Sequence, residues 1–300
     1  MCIVDLHIHS NHSDGTFNTN ELLALLNNAD VDFFSFTDHD NISCYFDLEK
    51  LKYSGKKIHY VRGVELSFSC HGQIRDMLGY GIDINTMKEF LDLYYADEIT
   101  IKKQNYILEQ FKHICATLDL KFDEDIRCCS GKKAEAFILM HESLNRYSEN
   151  IEKYPFIQHN TKFYWEHFAN RNSPFFVDET FDLPTTSDVV SAIHKAGGLA
   201  FLAHPCAYGL SKEHVEELIC LAVNIGIDGL EVYHSSNKND DVEFLKSQAH
   251  INHLYMSGGS DFHGNIKPKL KLVTGYENMK VNYMDLQPWL SKVERFSIGK

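Results

Sequence analysis

The sequence contains no apolar run near the roughly 18–20 residues that would span a bilayer. Its first residues, Met1-Cys2-Ile3-Val4-Asp5, have no basic stretch and reach an acid at once. Both absences argue against a membrane-spanning helix and a signal peptide, so a cytoplasmic chain with no membrane partner is expected. No C-x-x-C pair occurs among the eight cysteines, which excludes a zinc ribbon or a thioredoxin-like motif. Cys2, Cys44, Cys70, Cys115, Cys206 and Cys220 are scattered and only Cys128 and Cys129 are adjacent, so all are expected to be reduced and mostly packed. Positive charge is also short: 29 Lys and Arg against 42 Asp and Glu leave a formal charge of −13, which excludes broad attraction to duplex nucleic acid or an anionic membrane. There is no repeat and no low-complexity segment. Histidine, at 17 residues, is what the chain has in excess.

With 300 residues, 44% of them hydrophobic and 24% charged, the chain suits one large barrel or a core domain carrying an insertion. The first third alternates short apolar runs with amphipathic stretches, the pattern of βα units. Residues 2–6 read as a buried strand running into His7-Ile8-His9. Thr19 is placed to cap a helix over 21–28, where Leu22, Leu25, Leu26 and Ala29 recur at helical spacing. Further strands are expected over 32–37, 58–65 and 76–82. The rhythm then changes: 87–118 reads as a helix broken or bent somewhere, 134–147 as another, followed by aromatic-rich segments such as Phe163-Tyr164-Trp165. A stretch of about 100 residues is too long for a connection inside a compact domain. Residues 85–183 are therefore expected to form a helical insertion between two parts of a core, 1–84 and 184–300. The βα rhythm resumes with helices over 187–196, 213–224 and 240–249 and strands over 199–203, 229–233 and 254–257.

His7, His9, His39, Glu65, His204, Asp261 and His263 all fall at the expected carboxyl ends of strands. In a parallel barrel those ends share one mouth, where active sites sit. H-x-H says little by itself in a chain so rich in histidine, but residues i and i+2 of a strand point to one side. His7 with His9, and Asp261 with His263, can therefore each chelate one ion. The two oxygens of Glu65 can bridge two cations, which a histidine cannot do. Glu231 and His234 lie at the end of the 229–233 strand, which makes His234 a candidate proton donor or phosphate contact. Asp38 and Asp40 flank His39 and point away from it, as candidates to orient ligands or assist catalysis.

As an ordered set, H-I-H at 7–9, S-D-G at 13–15, T-D-H-D at 37–40, G-V-E at 63–65, A-H-P at 203–205 and G-S-D-F-H-G at 259–264 resemble the motif series of the PHP (polymerase and histidinol phosphatase) family. The likeness covers residues 1–83 and about 185–275, and is greatest to stand-alone phosphoesterases such as nucleotide 3′,5′-bisphosphate phosphatases and short-RNA exonucleases. It implies an α/β fold, a distorted (β/α)7 barrel with a helical domain inserted after the early strands and covering the active site. It also implies three metal positions. His7, His9, Glu65 and Asp261 match the first, Glu65 with Asp76 and His204 the second, and Asp14, His39 and His263 the third. Many relatives have histidine where this chain has Asp76, so its second position is richer in oxygen. Gly131-Lys132-Lys133-Ala134 lies where relatives often carry a basic stretch opening with Gly-Arg, making Lys132 and Lys133 candidates for substrate binding.

A ligand set of nitrogen and oxygen without thiolate suits manganese, iron or zinc, so two or three such divalent ions are the expected cofactors. The expected reaction is hydrolysis of a phosphate ester by a metal-bound hydroxide, with no serine or cysteine nucleophile. The expected partner is a small phosphorylated substrate, with a nucleotide (bis)phosphate or a short single-stranded oligonucleotide the leading choices. Residues 96–183 carry 11 Lys and Arg against 15 Asp and Glu, which disfavours a long basic groove for polymeric nucleic acid. Two other readings stay open. Amidohydrolases also use H-x-H and a late aspartate, but lack the third position that S-D-G, T-D-H-D and D-x-H fill. A non-catalytic, metal-stabilised accessory module would be marked by lost ligands, whereas each position here has a competent side chain.

Overall fold

The short apolar runs become nine strands among the described residues, which in this computed structural model are 2–131, 134–276 and 279–300. In chain order they are β1 (Val4–Ile8), β2 (Phe33–Phe36), β3 (Ile58–Tyr60), β4 (Gly63–Cys70), β5 (Gln73–Tyr80), β6 (Leu199–Leu202), β7 (Gly229–His234), β8 (Tyr255–Gly259) and β9 (Phe296–Ile298). The class is mixed α/β, as expected. The strands form two sheets, ordered β1-β2-β3-β9 and β4-β5-β6-β7-β8, and not one closed ring. Most observed pairs are parallel, but β3–β9 and β5–β6 are antiparallel. The sheets meet through single parallel bridges, Ile8 to Phe262 and His39 to Glu65.

The chain divides into two compact units: Met1–Phe68, Arg75–Leu91 and Pro184–Lys300 in the first, and Ser69–Ile74 with Asp92–Leu183 in the second. In the first unit every residue of β1 is buried, as befits an inner strand covered on both faces. Alternation puts Val4, Leu6 and Ile8 on one face and Asp5 and His7 on the other. β8 lies so close to β1 that a Cβ on Gly259 would collide with the backbone of His7, so only glycine fits there. Below, Tyr80, Phe201 and Trp289 pack together. The Trp289 indole donates to the Met256 carbonyl at 2.8 Å, satisfying the one polar atom of a fully buried ring.

Two local readings are corrected. Asn18, not Thr19, caps the first helix, Thr19–Asn28: its side chain accepts from Asn20 and Glu21 at 3.0 Å, and Glu21 accepts from the Asn18 amide at 2.8 Å. The reciprocal box needs Glu three residues after the cap, a spacing that Asn18 meets and Thr19 does not. The strand expected over 58–65 is split into β3 and β4 at Val61-Arg62, where the buried Tyr45 hydroxyl accepts from the Gly63 amide at 2.6 Å. The helix expected over 87–118 with a break or bend is indeed broken, into Ile84–Tyr94 and Asp97–Thr117.

The second unit has its own core, in which Leu108 and Phe111 of helix Asp97–Thr117 meet Phe137 and Met140 of helix Glu135–Asn145. Phe163 and Phe168 complete it, with Phe137 and Phe168 ring centroids 5.2 Å apart. No helix among the described residues is long and apolar enough to cross a membrane. The eight cysteines are all free thiols.

Candidate metal centre

β1 delivers His7 and, one residue past its end, His9; both rings are fully buried. His39 follows β2, His204 follows β6, and Asp261 and His263 follow β8. Glu65 is the third residue of β4 and not the end of a longer strand. Asp76 lies in the first half of β5, which runs antiparallel to β6, so it reaches the same end of the sheet beside Ala203, whose amide donates to its carbonyl at 3.1 Å. Asp14 sits in the turn after β1, where a Cβ on Gly15 would strike the His9 carbonyl. His204 and Asp261 adopt positive φ, 27° and 57°, a costly backbone that the packing around the site must hold in place.

Ligand atoms converge in three overlapping groups: His7, His9, Glu65 and Asp261; His9, Asp14, His39 and His263; and His39, Glu65 and Asp76. Within each group the atoms lie within 4.8 Å of one another. His7 Nε2 is 3.0 Å from His9 Nε2 and 3.1 Å from Glu65 Oε2, and Asp261 Oδ1 is 3.4 Å and 3.2 Å from the same two nitrogens. Ligands about 2.1 Å from a transition-metal ion lie about 3.0–3.4 Å from each other, so this group has the spacing such an ion needs. Two imidazole nitrogens 3.0 Å apart can share at most one proton, and a cation between them satisfies both lone pairs. Glu65 faces two ways: Oε2 toward His7, His9 and His39, and Oε1 toward His204 Nε2 at 2.8 Å. That is the disposition of a bridging carboxylate.

The electrostatics agree. Burial would lower the pKa of His7, but the carboxylates of Glu231 and Glu65 outweigh it and raise it well above the ordinary value. His9 is raised to about 9 against its burial, by Asp261, Glu65 and Asp14. Burial would raise Glu65 and Asp261, yet the surrounding histidines hold both well below the usual carboxylate range. The acids favour positive charge on the rings and the rings favour negative charge on the acids, and a divalent cation can supply that positive charge where the facing Nε2 atoms of His7 and His9 leave no room for two protons.

Residues 5–166, more than half the chain, match the model of the PHP domain. The chain belongs to the PHP domain family. It is 26% identical to a 5′-3′ exoribonuclease of Haemophilus influenzae, over 86% of this chain and 89% of that protein. It is also 26% identical to a 3′,5′-nucleoside bisphosphate phosphatase of Chromobacterium violaceum, over 88% of each. A crystal structure from Bifidobacterium adolescentis, of a candidate metal-dependent phosphoesterase, shares the fold with a TM-score of 0.64 at 20% identity, covering 97% of this chain and 96% of that one.

In this PHP chain the histidines and acids read from the strand ends come together, with some redistribution. His9 stands in the group of Asp14, His39 and His263 as well as in its own. His39, in place of His204, completes the group of Glu65 and Asp76. Asp38 and Asp40 are not members of the three groups. Asp38 accepts from the Ser10 amide at 2.7 Å and from the Ser10 and Ser13 hydroxyls at 2.6 Å each, holding the turn that carries Asp14. Asp40 accepts from the Ser67 amide at 2.8 Å. Asp38 thus holds the backbone at Ser10, and Asp40 that at Ser67. Lys132 and Lys133 lie outside the described residues.

Other residues of the site carried weaker sequence signals. Glu231, fully buried in β7, accepts from His7 Nδ1 at 2.8 Å and from the His204 amide at 2.9 Å. It fixes the His7 tautomer so that Nε2 turns its lone pair to the centre. His263 is set likewise, its Nδ1 donating to the Asp261 carbonyl at 2.7 Å. Asp5 accepts from the amides of Ser260 and Val273 at 2.8 Å each, tying β1 to the segments around Asp261. Lys267, six residues after Asp261, places Nζ 2.7 Å from Asp261 Oδ2.

Proposed function

We propose that this PHP protein is a metal-dependent phosphoesterase, a hydrolase of small phosphorylated substrates. The observation that carries the reading is the set of three ligand groups sharing His9, His39 and Glu65. Two or three divalent ions, of manganese, iron or zinc, suit these groups, with His7, His9, Glu65 and Asp261 holding the first, Glu65, Asp76 and His39 or His204 the second, and Asp14, His39 and His263 the third. Such ions lower the pKa of water and neutralise charge on phosphoryl oxygens. The chain's own part is to hold that centre rigid. Glu231 keeps the His7 Nε2 lone pair pointed inward, and Asp38 holds the Asp14 turn. His234 sits at the end of β7 with Nε2 3.5 Å from Asp261 Oδ2, within reach of a substrate oxygen at the first group. Its role is to donate a hydrogen bond or a proton there.

The two sheets, bridged at Ile8–Phe262 and His39–Glu65, support a distorted (β/α)7 barrel as the underlying architecture. The two curated relatives described above act on RNA and on a nucleoside bisphosphate, which supports a nucleotide bisphosphate or a short single-stranded oligonucleotide as substrate. The test is turnover by manganese-loaded protein of p-nitrophenyl phosphate, of a nucleoside 3′,5′-bisphosphate and of a short oligoribonucleotide, beside an amide and a lactone. Hydrolysis of the amide or lactone without any phosphate ester would overturn the reading in favour of an amidohydrolase. No turnover of any of them, with metal bound, would leave the accessory-module reading.

A further inference from the structure

Asp261 divides its two oxygens. Oδ1 faces His7 and His9, at 3.4 and 3.2 Å, and belongs to the first ligand group. Oδ2 faces Lys267 Nζ at 2.7 Å and His234 Nε2 at 3.5 Å. A lysine ammonium has donors and no lone pair, so Lys267 cannot be a metal ligand. Its side chain is 35% exposed and therefore open to an incoming anion.

His234 is oriented toward the same place. The Ser236 amide donates to His234 Nδ1 at 3.2 Å, so Nδ1 is the acceptor and the ring proton sits on Nε2. That Nε2 is buried and makes no hydrogen bond, although the residue is only 5% exposed. It points at Asp261 Oδ2 across 3.5 Å, a weak contact that leaves the proton available to a closer acceptor. Because both nitrogens contact one oxygen, Nζ and Nε2 are at most about 6.2 Å apart, the sum of the two distances. Phosphate oxygens accept charge-assisted bonds at about 2.8 Å, so one phosphoryl group can span such a gap.

The loop that carries Lys267 is pinned on both sides. The Asn265 amide donates to Thr16 Oγ1 at 2.9 Å and the Val273 amide to Asp5 Oδ2 at 2.8 Å. The backbone is thus fixed while the four-carbon stem of the lysine is free to swing from Asp261 to a ligand.

Resting on the phosphoesterase reading above, we propose that Lys267 is a substrate-binding residue whose ammonium, together with His234 Nε2–H, grips the non-bridging oxygens of a phosphomonoester and selects the dianion of a terminal phosphate over a diester. A monoester offers three non-bridging oxygens and two negative charges, a diester two oxygens and one charge. At equal distance the ammonium is attracted twice as strongly to the dianion.

The test uses the full chain loaded with manganese and the variants Lys267→Met, Lys267→Gln and Lys267→Arg. Lys267→Gln retains a donor to Asp261 and serves where Lys267→Met fails to fold. Bound manganese is counted by electron paramagnetic resonance, the Kd of inorganic phosphate is measured by calorimetry, and turnover of p-nitrophenyl phosphate is compared with that of bis(p-nitrophenyl) phosphate. In Lys267→Met and Lys267→Gln the manganese count should match the wild type, while phosphate binding weakens about tenfold to a hundredfold, as expected for a lost charged hydrogen bond. Their kcat/KM should fall further for the monoester than for the diester, and Lys267→Arg should recover much of both losses. Unchanged phosphate affinity, or a loss explained by missing manganese, would make Lys267 only a strut for Asp261 and overturn the proposal. Equal losses on the two esters would overturn the selectivity. If the wild type hydrolyses phosphate esters and Lys267→Met matches it, the inference on Lys267 alone fails. If the loaded wild type neither binds phosphate nor hydrolyses an ester, the phosphoesterase reading falls as well.

Discussion

Replacing Glu231 by glutamine changes the shape of the side chain very little and its chemistry decisively. The carboxylate accepts two hydrogen bonds, from His7 Nδ1 at 2.8 Å and from the His204 amide at 2.9 Å, one on each oxygen. Glutamine offers one acceptor and one donor, so one of these partners must face an N–H₂ group. The His204 amide cannot change its role, whereas an imidazole can. The glutamine oxygen should therefore go to His204, and the His7 ring should shift its proton to Nε2 so that Nδ1 accepts. That places a proton on the one nitrogen positioned to hold a metal ion. Loss of such an outer partner typically weakens metal affinity about 10–100-fold, which is about 1.4–2.7 kcal/mol. Glu231→Ala should cost more, because it leaves a buried amide unpaired at about 1–3 kcal/mol and opens a cavity as well.

The assay is chelator competition for manganese, with the His7 ring nitrogens followed by NMR in labelled protein. Glu231→Gln should keep the wild-type manganese count at saturation, lose affinity by the stated factor, and, in metal-free protein titrated until the His7 ring is neutral, show its Nε2–H tautomer. Wild-type affinity together with the Nδ1–H tautomer of the neutral ring would refute the argument, since the tautomer would then be set by something other than Glu231.

Purified protein should carry more than one divalent ion per chain, and elemental analysis finding no transition metal, with no activation by manganese, would contradict the shared-ligand arrangement. Asp261→Ala should lower phosphoesterase turnover about a thousandfold or more, because a ligand to the centre and the partner of Lys267 disappear together. Circular dichroism checks that the variant is folded, and a folded variant with near-normal turnover would rule out the site. Asp76 accepts from the Ser67 hydroxyl at 2.8 Å and stands with His39 and Glu65, an oxygen-rich set that should favour manganese over zinc. Asp76→His should move the activation profile toward zinc, and identical profiles for the two proteins would show that Asp76 does not touch the metal.

The candidate ligand positions are legible because they follow from a rule about strands. An apolar run that stops at a histidine or an acid places that side chain at the end of a sheet, and an i, i+2 pair shares a side. His7, His9, His204, Asp261 and His263 obey it. Glu65 was found at the right place for an incomplete reason, since the chain breaks at Val61-Arg62 and Glu65 belongs to β4. Asp76 stands at the mouth only because β5 runs against β6, a reversal that apolar periodicity does not encode. Two α/β sheets in place of a closed parallel ring follow from the same reversal and from the late antiparallel strand β9, which 3 residues without a strong alternating pattern did not announce.

The supporting residues were harder to read, and the reason is physical. Asp5 and Glu231 interrupt apolar strands, where an acid reads as a flaw in the pattern until its partners are known. Both are fully buried, and a buried carboxylate is tolerated only where donors surround it. An acid inside an otherwise apolar strand that leads to a histidine is therefore itself a signal. It marks a place where the fold accepts the desolvation of a charge to hold something in register, here the His7 ring by Glu231 and the Asp261 segment by Asp5. Lys267 carries no such mark, because a lysine in a loop after a glycine turn has the sequence appearance of any solvated charge. What distinguishes it is the oxygen of Asp261 that it occupies, and that contact exists only once β8 and the loop after it have folded back against β1.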